Sequence, residues 1–405
     1  MFHELLDYRH YGAVPEGLFA MEYDFIVVGA GIAGASVAYE LARTRRVCLI
    51  EQEPQPAMHA TGRSAALFAP TYGGRVIRAI TRASRSFFDR PPSKFCENPL
   101  LKSRGCLYIA RADQRASLSR MVEDIRSSGG RVELIEREAT LQQVPLLRPG
   151  YLAQAALDSE AMDIDVDALH RGFLRGARSA GATLIVNHPV TRAERRRGLW
   201  SVDSGDGCAE APVLINAAGA WADEVAVTCG AHAIGLQPLR RTALLVDAPV
   251  AADIRYWPAV IDADEQFYFK PDAGKLLLSP ADETPDAAGD AQPDELDIAI
   301  CIDRVEAALD IEVRRISHRW AGLRTFSSDR APVVGFDPAV EGLFWCAGQG
   351  GYGIQTAPAL SRCAAALAKH EPLPADLAAE GLTTEELSPY RFAQERSASG
   401  CKESR

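Results

Sequence analysis

The 405-residue chain lacks the features that mark several large classes of protein. Its nine cysteines and eight histidines include no CxxC pair and no clustered histidine spacing. Neither a structural zinc site nor a disulfide framework is therefore expected. A scattered, odd-numbered cysteine set fits free thiols in a reducing compartment, and a cytoplasmic location is the corresponding expectation. No uncharged run is long enough to span a bilayer. The most apolar window, Phe25 to Ala38, is broken by three glycines. Met1 to Ala20 carries acidic residues early and has no basic start followed by an apolar run, so it does not read as a secretory signal. Positive charge is also short: 44 Lys and Arg against 54 Asp and Glu give a net charge of −10. That excludes a nucleic-acid backbone as the expected partner. The one dense basic group, Arg192 with Arg195, Arg196 and Arg197, reads as a solvated turn.

What is present is the composition of an ordinary globular protein, 47% hydrophobic and 24% charged, with length for two or three domains. Asp24 to Val28 is a short β-branched run ending at glycine, Ile32 to Ala42 has helical composition, and Val47 to Ile50 is a second apolar strand. Together they form a βαβ unit at the front of a doubly wound sheet. Thr183 to Val186, Leu199 to Val202 and Val213 to Asn216 are strands expected to complete that sheet. Leu107 to Ala110 is a strand followed by a charged helix over Gln114 to Ser128, and Asp163 to His170 opens another helix. Arg241 to Asp247, Gln266 to Lys270 and Lys275 to Ser279 alternate as antiparallel strands do. Pro280 to Pro293, rich in Asp, Pro and Ala, reads as a surface loop, and the tail from Ser397 as polar and disordered.

Gly29, Gly31 and Gly34 have the spacing of a dinucleotide-binding turn between strand and helix. The first glycine permits the turn, the second lets a pyrophosphate approach, and the third allows close packing. The helix N-terminus, with Ile32 and Ala33, supplies N–H groups to phosphate. Glu51, with Gln52 after it, ends the second strand where a carboxylate can accept ribose hydroxyls. NAD and FAD share this fingerprint, and three later features select FAD. Thr61, Gly62, Arg63 and Ser64, with Ala65 after them, follow the second strand at a distance suited to a longer ligand. Asn216 to Gly219 ends a strand in small residues. Gly348, Gly350, Gly351 and Gly353 precede a helical segment, Ala357 to Ala368, whose N-terminus suits the pyrimidine edge of a reduced flavin.

Longer runs carry a resemblance that spans Met21 to about Tyr390. They are His59 to Ala66, Phe95 to Leu101, Leu236 to Arg241, Phe267 to Gly274, Trp320 to Arg324 and Gly350 to Thr356. In these the chain resembles the D-amino-acid oxidase/glycine oxidase superfamily of flavoproteins and, within it, the bacterial FAD-dependent D-arginine dehydrogenases. The resemblance implies an α/β fold: a Rossmann-like FAD domain interleaved with an α+β substrate domain on an antiparallel sheet. The implied FAD domain comprises 21–97, 163–236 and 320–390, and the substrate domain 98–162 and 237–319, with an extension at 1–20 and a tail at 391–405. It implies non-covalent FAD, although His59 lies where some related flavoproteins attach theirs. Val190, Ala218, Gly219 and Trp221 join the cofactor set, as do Tyr352 and Ile354. Tyr72, Arg241, Tyr268, Arg324 and Gly351 are implied to contact substrate, the two arginines gripping its carboxylate. Arg240 and Arg241 are neighbours on a strand, so only one can face the pocket. The family pattern selects Arg241.

Three pocket positions depart from the arginine-specific pattern: Cys106 replaces a glutamate, Leu67 a histidine and Ala69 a threonine. Without that glutamate nothing pairs a buried guanidinium. With Ile261, Tyr352 and Ile354 as further pocket residues, the expectation is oxidative deamination of neutral or apolar D-amino acids. A glutamate restored at Cys106 is expected to favour basic ones. An acid from the loop at Asp262, Asp264 or Glu265 is the alternative partner for a basic substrate. The electron acceptor, whether quinone, dye-like carrier or oxygen, is left open. Glycine or sarcosine oxidation, D-arginine oxidation, and an FAD subunit without turnover are the competing functions.

Overall fold

A computed structural model describes residues 22–203, 208–248 and 253–392. The extension at 1–20 and the tail from Ser397 lie outside the described residues. The glycine turn sits at the centre of a six-stranded sheet. Its order is Val333–Phe336, Leu343–Ala347, Val213–Asn216, Phe25–Val28, Val47–Ile50 and Thr183–Ile185, parallel except for the first strand. Successive residues face opposite sides. Val27 and Leu49 enter one core with Phe173 and Phe344, whereas Ile26, Val28, Cys48 and Ile50 enter another with Trp345. A parallel sheet covered on both faces needs these uninterrupted apolar strands.

Leu199–Asp203 does not join this sheet. It pairs instead with Arg192–Arg196 and Cys208–Ala211 in a separate antiparallel sheet. Arg197 and Gly198 both have positive φ, 52° and 87°, and so close a tight hairpin that commits each strand to its neighbour. The basic group is accordingly mostly strand, with the turn confined to Arg197 and Gly198. Arg195 meets Glu341 at 2.7 Å and Arg196 meets Glu194 at 2.6 Å. The helix expected from Asp163 starts later, at Val166–Ser179, because the Asp165 side chain accepts from Ala168 N at 2.9 Å and fixes the cap there. Met162–Ile164 is instead a strand between Leu67–Phe68 and Leu101–Ser103.

The second large unit is a nine-stranded, mainly antiparallel sheet that includes Cys106–Ala110, Gln154–Asp158, Gln237–Asp247, Ala259–Asp262, Tyr268–Asp272, Lys275–Ser279 and Ile316–Phe326. The eleven-residue strand Ile316–Phe326 lies along Gln237–Asp247. A domain boundary at residue 320 would cut this strand, so its whole length is assigned to the nine-stranded sheet. The segment from Pro280 to Pro293 is more than a surface loop. Thr284–Pro285 pairs with Leu239 and Arg240 as an edge strand, and Ala291 is buried.

Candidate active site

One long cavity begins at the carboxyl ends of the parallel strands and extends to the nine-stranded sheet, with Val28, Ile50 and Ala217 at one end and Arg241, Tyr268 and Arg324 at the other. Ligands of doubly wound sheets bind at that edge. Gly29 has φ 98°, and a Cβ on it would stand 2.6 Å from Ala217 O. A Cβ on Gly34 would be 1.8 Å from Gly29 O, so this glycine packs helix on strand and does not line the cavity. Gly31, Ile32 and Ala33 do line it. The Thr61 hydroxyl accepts from Ile32 N at 2.9 Å, at the mouth of the helix.

Glu51 is buried and already oriented: its Oε2 accepts from Ala30 N at 2.7 Å and its Oε1 from Glu53 N at 3.0 Å. Burial pushes its pKa up against those two hydrogen bonds. Behind the glycine turn, His170 is buried with Nε2 2.9 Å from Ala30 O, and burial lowers its pKa. The ring is then neutral, with Nε2–H donating to that carbonyl. Farther along, Gln52, Ser64, Ala65, Val190, Ala218, Gly219 and Trp221 line the cavity. His59 lines it too, its Nε2 2.8 Å from Glu53 Oε1 and its ring 4.7 Å from that of Trp221.

Several expected cofactor residues are placed otherwise. Gly62 lies off the cavity: its N–H donates to Ala57 O at 3.0 Å, and a Cβ would meet that oxygen at 2.3 Å. Gly348, with φ 71°, turns the chain out of the Leu343–Ala347 strand and is also off the wall. Arg63 lines the cavity, yet its guanidinium donates to Ala321 O at 2.8 Å and Ala291 O at 3.1 Å and pairs with Asp290. It thereby clamps the 280–293 segment over the cofactor cavity. Nothing in the composition of that segment reveals this role.

At the far end, Gly350, Gly351, Gly353 and Ile354 line the wall where the helix Gly353–Ala368 begins. Arg324 lines it as well, and a Cβ on Gly351 would stand 2.8 Å from Arg324 Nη1, so the guanidinium rests on bare backbone. Burial would lower the Arg324 pKa, but the phenols of Tyr72, Tyr268 and Tyr352 outweigh it and raise the value. No carboxylate lies within ion-pair distance of Arg324 among the described residues. Arg241 also lines the cavity and pairs with Glu283 at 3.0 Å. Arg240 points the other way, to Asp297 at 2.9 Å.

Tyr72 and Tyr352 touch edge to face at 5.1 Å and pack beside Ile77 and Phe326. Cys106, Leu67 and Ile261 lie beside Tyr72, Cys106 buried and the other two half-buried. They form an apolar cluster with Ala69, Tyr108 and Tyr72. Cys106 is wholly buried because its strand is sandwiched between Ala259 and Asp158. Asp158 is itself buried, accepting from Thr71 Oγ1 at 2.5 Å and Glu160 N at 2.9 Å. Asp262 is likewise buried and held by Gln114 at 2.9 Å, so it is committed to shaping the 263–266 turn. The sequence reading placed Thr61 in the cofactor segment but missed Glu283, Arg330 and His170. It also missed Gln355, which is buried, accepts from Ala69 N at 3.0 Å and leaves its Nε2 without a partner. Of these, Gln355 falls inside a motif run already singled out, whereas Glu283, Arg330 and His170 carried no signal.

The glycine cradle, the oriented Glu51 and the second helix start over one elongated cavity fit an FAD, with its adenosine toward Glu51 and its flavin toward Gly351. Residues 24–367 match the family model described as "DAO: FAD dependent oxidoreductase". The chain is 26% identical to a glycine oxidase of Bacillus licheniformis over 346 residues, covering 83% of this chain and 90% of the relative. It is 28% identical to an uncharacterized oxidoreductase of Bacillus subtilis, covering 90% and 97%. The structure of a glycine oxidase from Geobacillus kaustophilus superposes with a TM-score of 0.78 at 23% identity, over 90% of this chain and 99% of that one. These relatives support the superfamily expected from the sequence but not the narrower likeness to D-arginine dehydrogenases. The chain belongs to the DAO family of FAD-dependent oxidoreductases, and FAD is its cofactor.

Proposed function

We propose that the protein oxidises α-amino acids, with neutral or apolar D-amino acids as its main substrates. The observation that carries this reading is Arg324: a guanidinium on the cavity wall, among three phenols, with no carboxylate partner of its own among the described residues. A planar guanidinium in that position suits a carboxylate bidentately. Burial raises the Tyr72 pKa far above neutral, so its phenol stays protonated and can act as a hydrogen-bond donor. Tyr268 walls the same space. Bound FAD supplies a two-electron acceptor for the α-hydrogen, taken as hydride. The chain's residues fix the α-carbon by its carboxylate and exclude water, and the amine gives up its proton as the C=N bond forms. Hydrolysis of that imino acid yields a 2-oxo acid and ammonia.

The apolar cluster of Leu67, Ala69, Cys106 and Ile261 backing Tyr72 supports a neutral side chain over a cationic one. The glycine oxidases among the relatives favour a second reading, oxidation of glycine or sarcosine by the same carboxylate grip. Non-covalent FAD fits His59, whose Nε2 is engaged by Glu53. Anaerobic mixing of the holoenzyme with a panel of D-amino acids, their L-forms, glycine and sarcosine tests the proposal by bleaching of the flavin. Faster bleaching by D-leucine or D-phenylalanine than by D-arginine or glycine is expected. Bleaching by glycine and sarcosine alone selects the second reading, and no bleaching by any amino acid sinks both.

A further inference from the structure

Arg241, on the cavity wall, already has a carboxylate against it. Glu283, in the segment that follows the Lys275–Ser279 strand, places Oε1 3.0 Å from Arg241 Nη2 and 2.7 Å from Arg330 Nη2, and its Oε2 accepts from Arg330 Nη1 at 3.0 Å. Arg330 thus holds both oxygens in its fork, while Arg241 shares one of them. Arg330 is anchored in turn, its guanidinium lying 3.9 Å over the Phe326 ring. Exposure grades outward, from 7% for the Arg241 side chain to 33% for Glu283 and 46% for Arg330. Arg241 Nε is buried without a partner.

We infer that Glu283 is a resident counter-ion that neutralises Arg241 in the substrate-free enzyme and is retained by Arg330 when a substrate carboxylate takes over Arg241. The inference rests on the reading of this cavity as a carboxylate site. Arg241 and Arg330 share the one glutamate and Arg324 adds a third, unpaired guanidinium nearby, so this end of the cavity keeps a net positive charge that attracts an incoming carboxylate. A second carboxylate on Arg241 meets repulsion from Glu283 through the shared arginine. Burial pushes the Glu283 carboxyl up, but Arg330, Arg241 and Arg324 outweigh it and hold the pKa low, so the group stays charged at neutral pH. Glu283 acts through Arg241 and is a positioning residue. It sets how tightly a carboxylate is held on Arg241.

Acetate binding to the oxidised holoenzyme, followed by perturbation of the flavin absorbance, tests this without turnover. Glu283→Gln keeps an acceptor for both arginines but removes the charge, and is expected to tighten acetate about fivefold or more. Glu283→Asp is expected to remain within about twofold of the parent. Arg330→Met leaves Glu283 with Arg241 alone and is expected to weaken acetate. A purely structural Glu283 predicts the opposite sign, with looser binding once Arg241 loses its orienting partner. Unchanged or weaker binding in Glu283→Gln overturns the inference alone. Acetate that leaves the wild-type flavin unperturbed overturns the carboxylate-site reading as well.

Discussion

Arg324 stands opposite Leu239, and Arg241 opposite Gly322, on the antiparallel pair Gln237–Asp247 and Ile316–Phe326, which makes the two arginines diagonal neighbours on one face of the ladder. Like charges so placed repel, and only Arg241 has a carboxylate against it. The arrangement costs stability and is understandable if a ligand carboxylate completes it. Replacing Arg324 with Met is therefore expected to lower kcat/KM for a D-amino acid by about 100-fold or more, while the melting temperature stays level or rises. A drop in melting temperature with kcat/KM retained assigns Arg324 to the fold instead.

The glycine turn offers a test that does not depend on substrate. With φ 98° and Ala217 O 2.6 Å from the position of a Cβ, Gly29→Ala must move the turn or the Asn216–Gly219 segment behind it. The purified variant is expected to contain little flavin, read from its absorbance against the protein band. Gly34→Ala, which forces helix from strand, is expected to lower stability as well as flavin content. A Gly29→Ala protein with full flavin content argues against this cradle.

How much of this was readable beforehand divides along a physical line. Phe25–Val28, the helix after it and Glu51 were legible because a βαβ turn dictates residue types at fixed local spacing. Strand alternation allowed only one of Arg240 and Arg241 to face the pocket, and the family resemblance selected Arg241. The grouping of Leu199–Asp203 with its own hairpin was decided by positive φ at Arg197, a non-glycine residue that gives little warning. Glu283 and Asp290 lay in a stretch whose composition reads as solvent-facing, and only their contacts with Arg241, Arg330 and Arg63 give them a role. Likewise Cys106 aligned with a pocket position, yet it lies wholly buried beside Asp158 on the adjacent strand. Long-range pairing of this kind leaves no local pattern.

That placement changes what is expected of Cys106→Glu. Burial raises the thiol pKa far above neutral, with the Asp158 charge adding to it. A glutamate there would face Asp158, whose own pKa burial already raises. One of the two acids must then take up a proton or a cation. The variant is expected to lose about 2–4 kcal/mol of stability. D-arginine, if it reaches the cluster, is expected to recover part of that as a raised melting temperature. Cys106→Ser is expected to be mild, and a Cys106→Glu protein as stable as the parent shows that the strand opens to solvent.

His170 gives the fold an acid limit. Burial lowers its pKa from the ordinary 6.5, so the unfolded chain binds this proton more readily than the native one. Its contribution is fully present above pH 6.5 and is lost as pH falls through the lowered native value. Protonation also adds a buried positive charge behind the glycine turn, where Nε2 meets Ala30 O. Melting temperature and flavin retention are expected to decline together below about pH 6.5. His170→Gln, which keeps an N–H donor but does not titrate, is expected to flatten that part of both profiles. Profiles of parent and variant that fall in parallel place the acid sensitivity in another group.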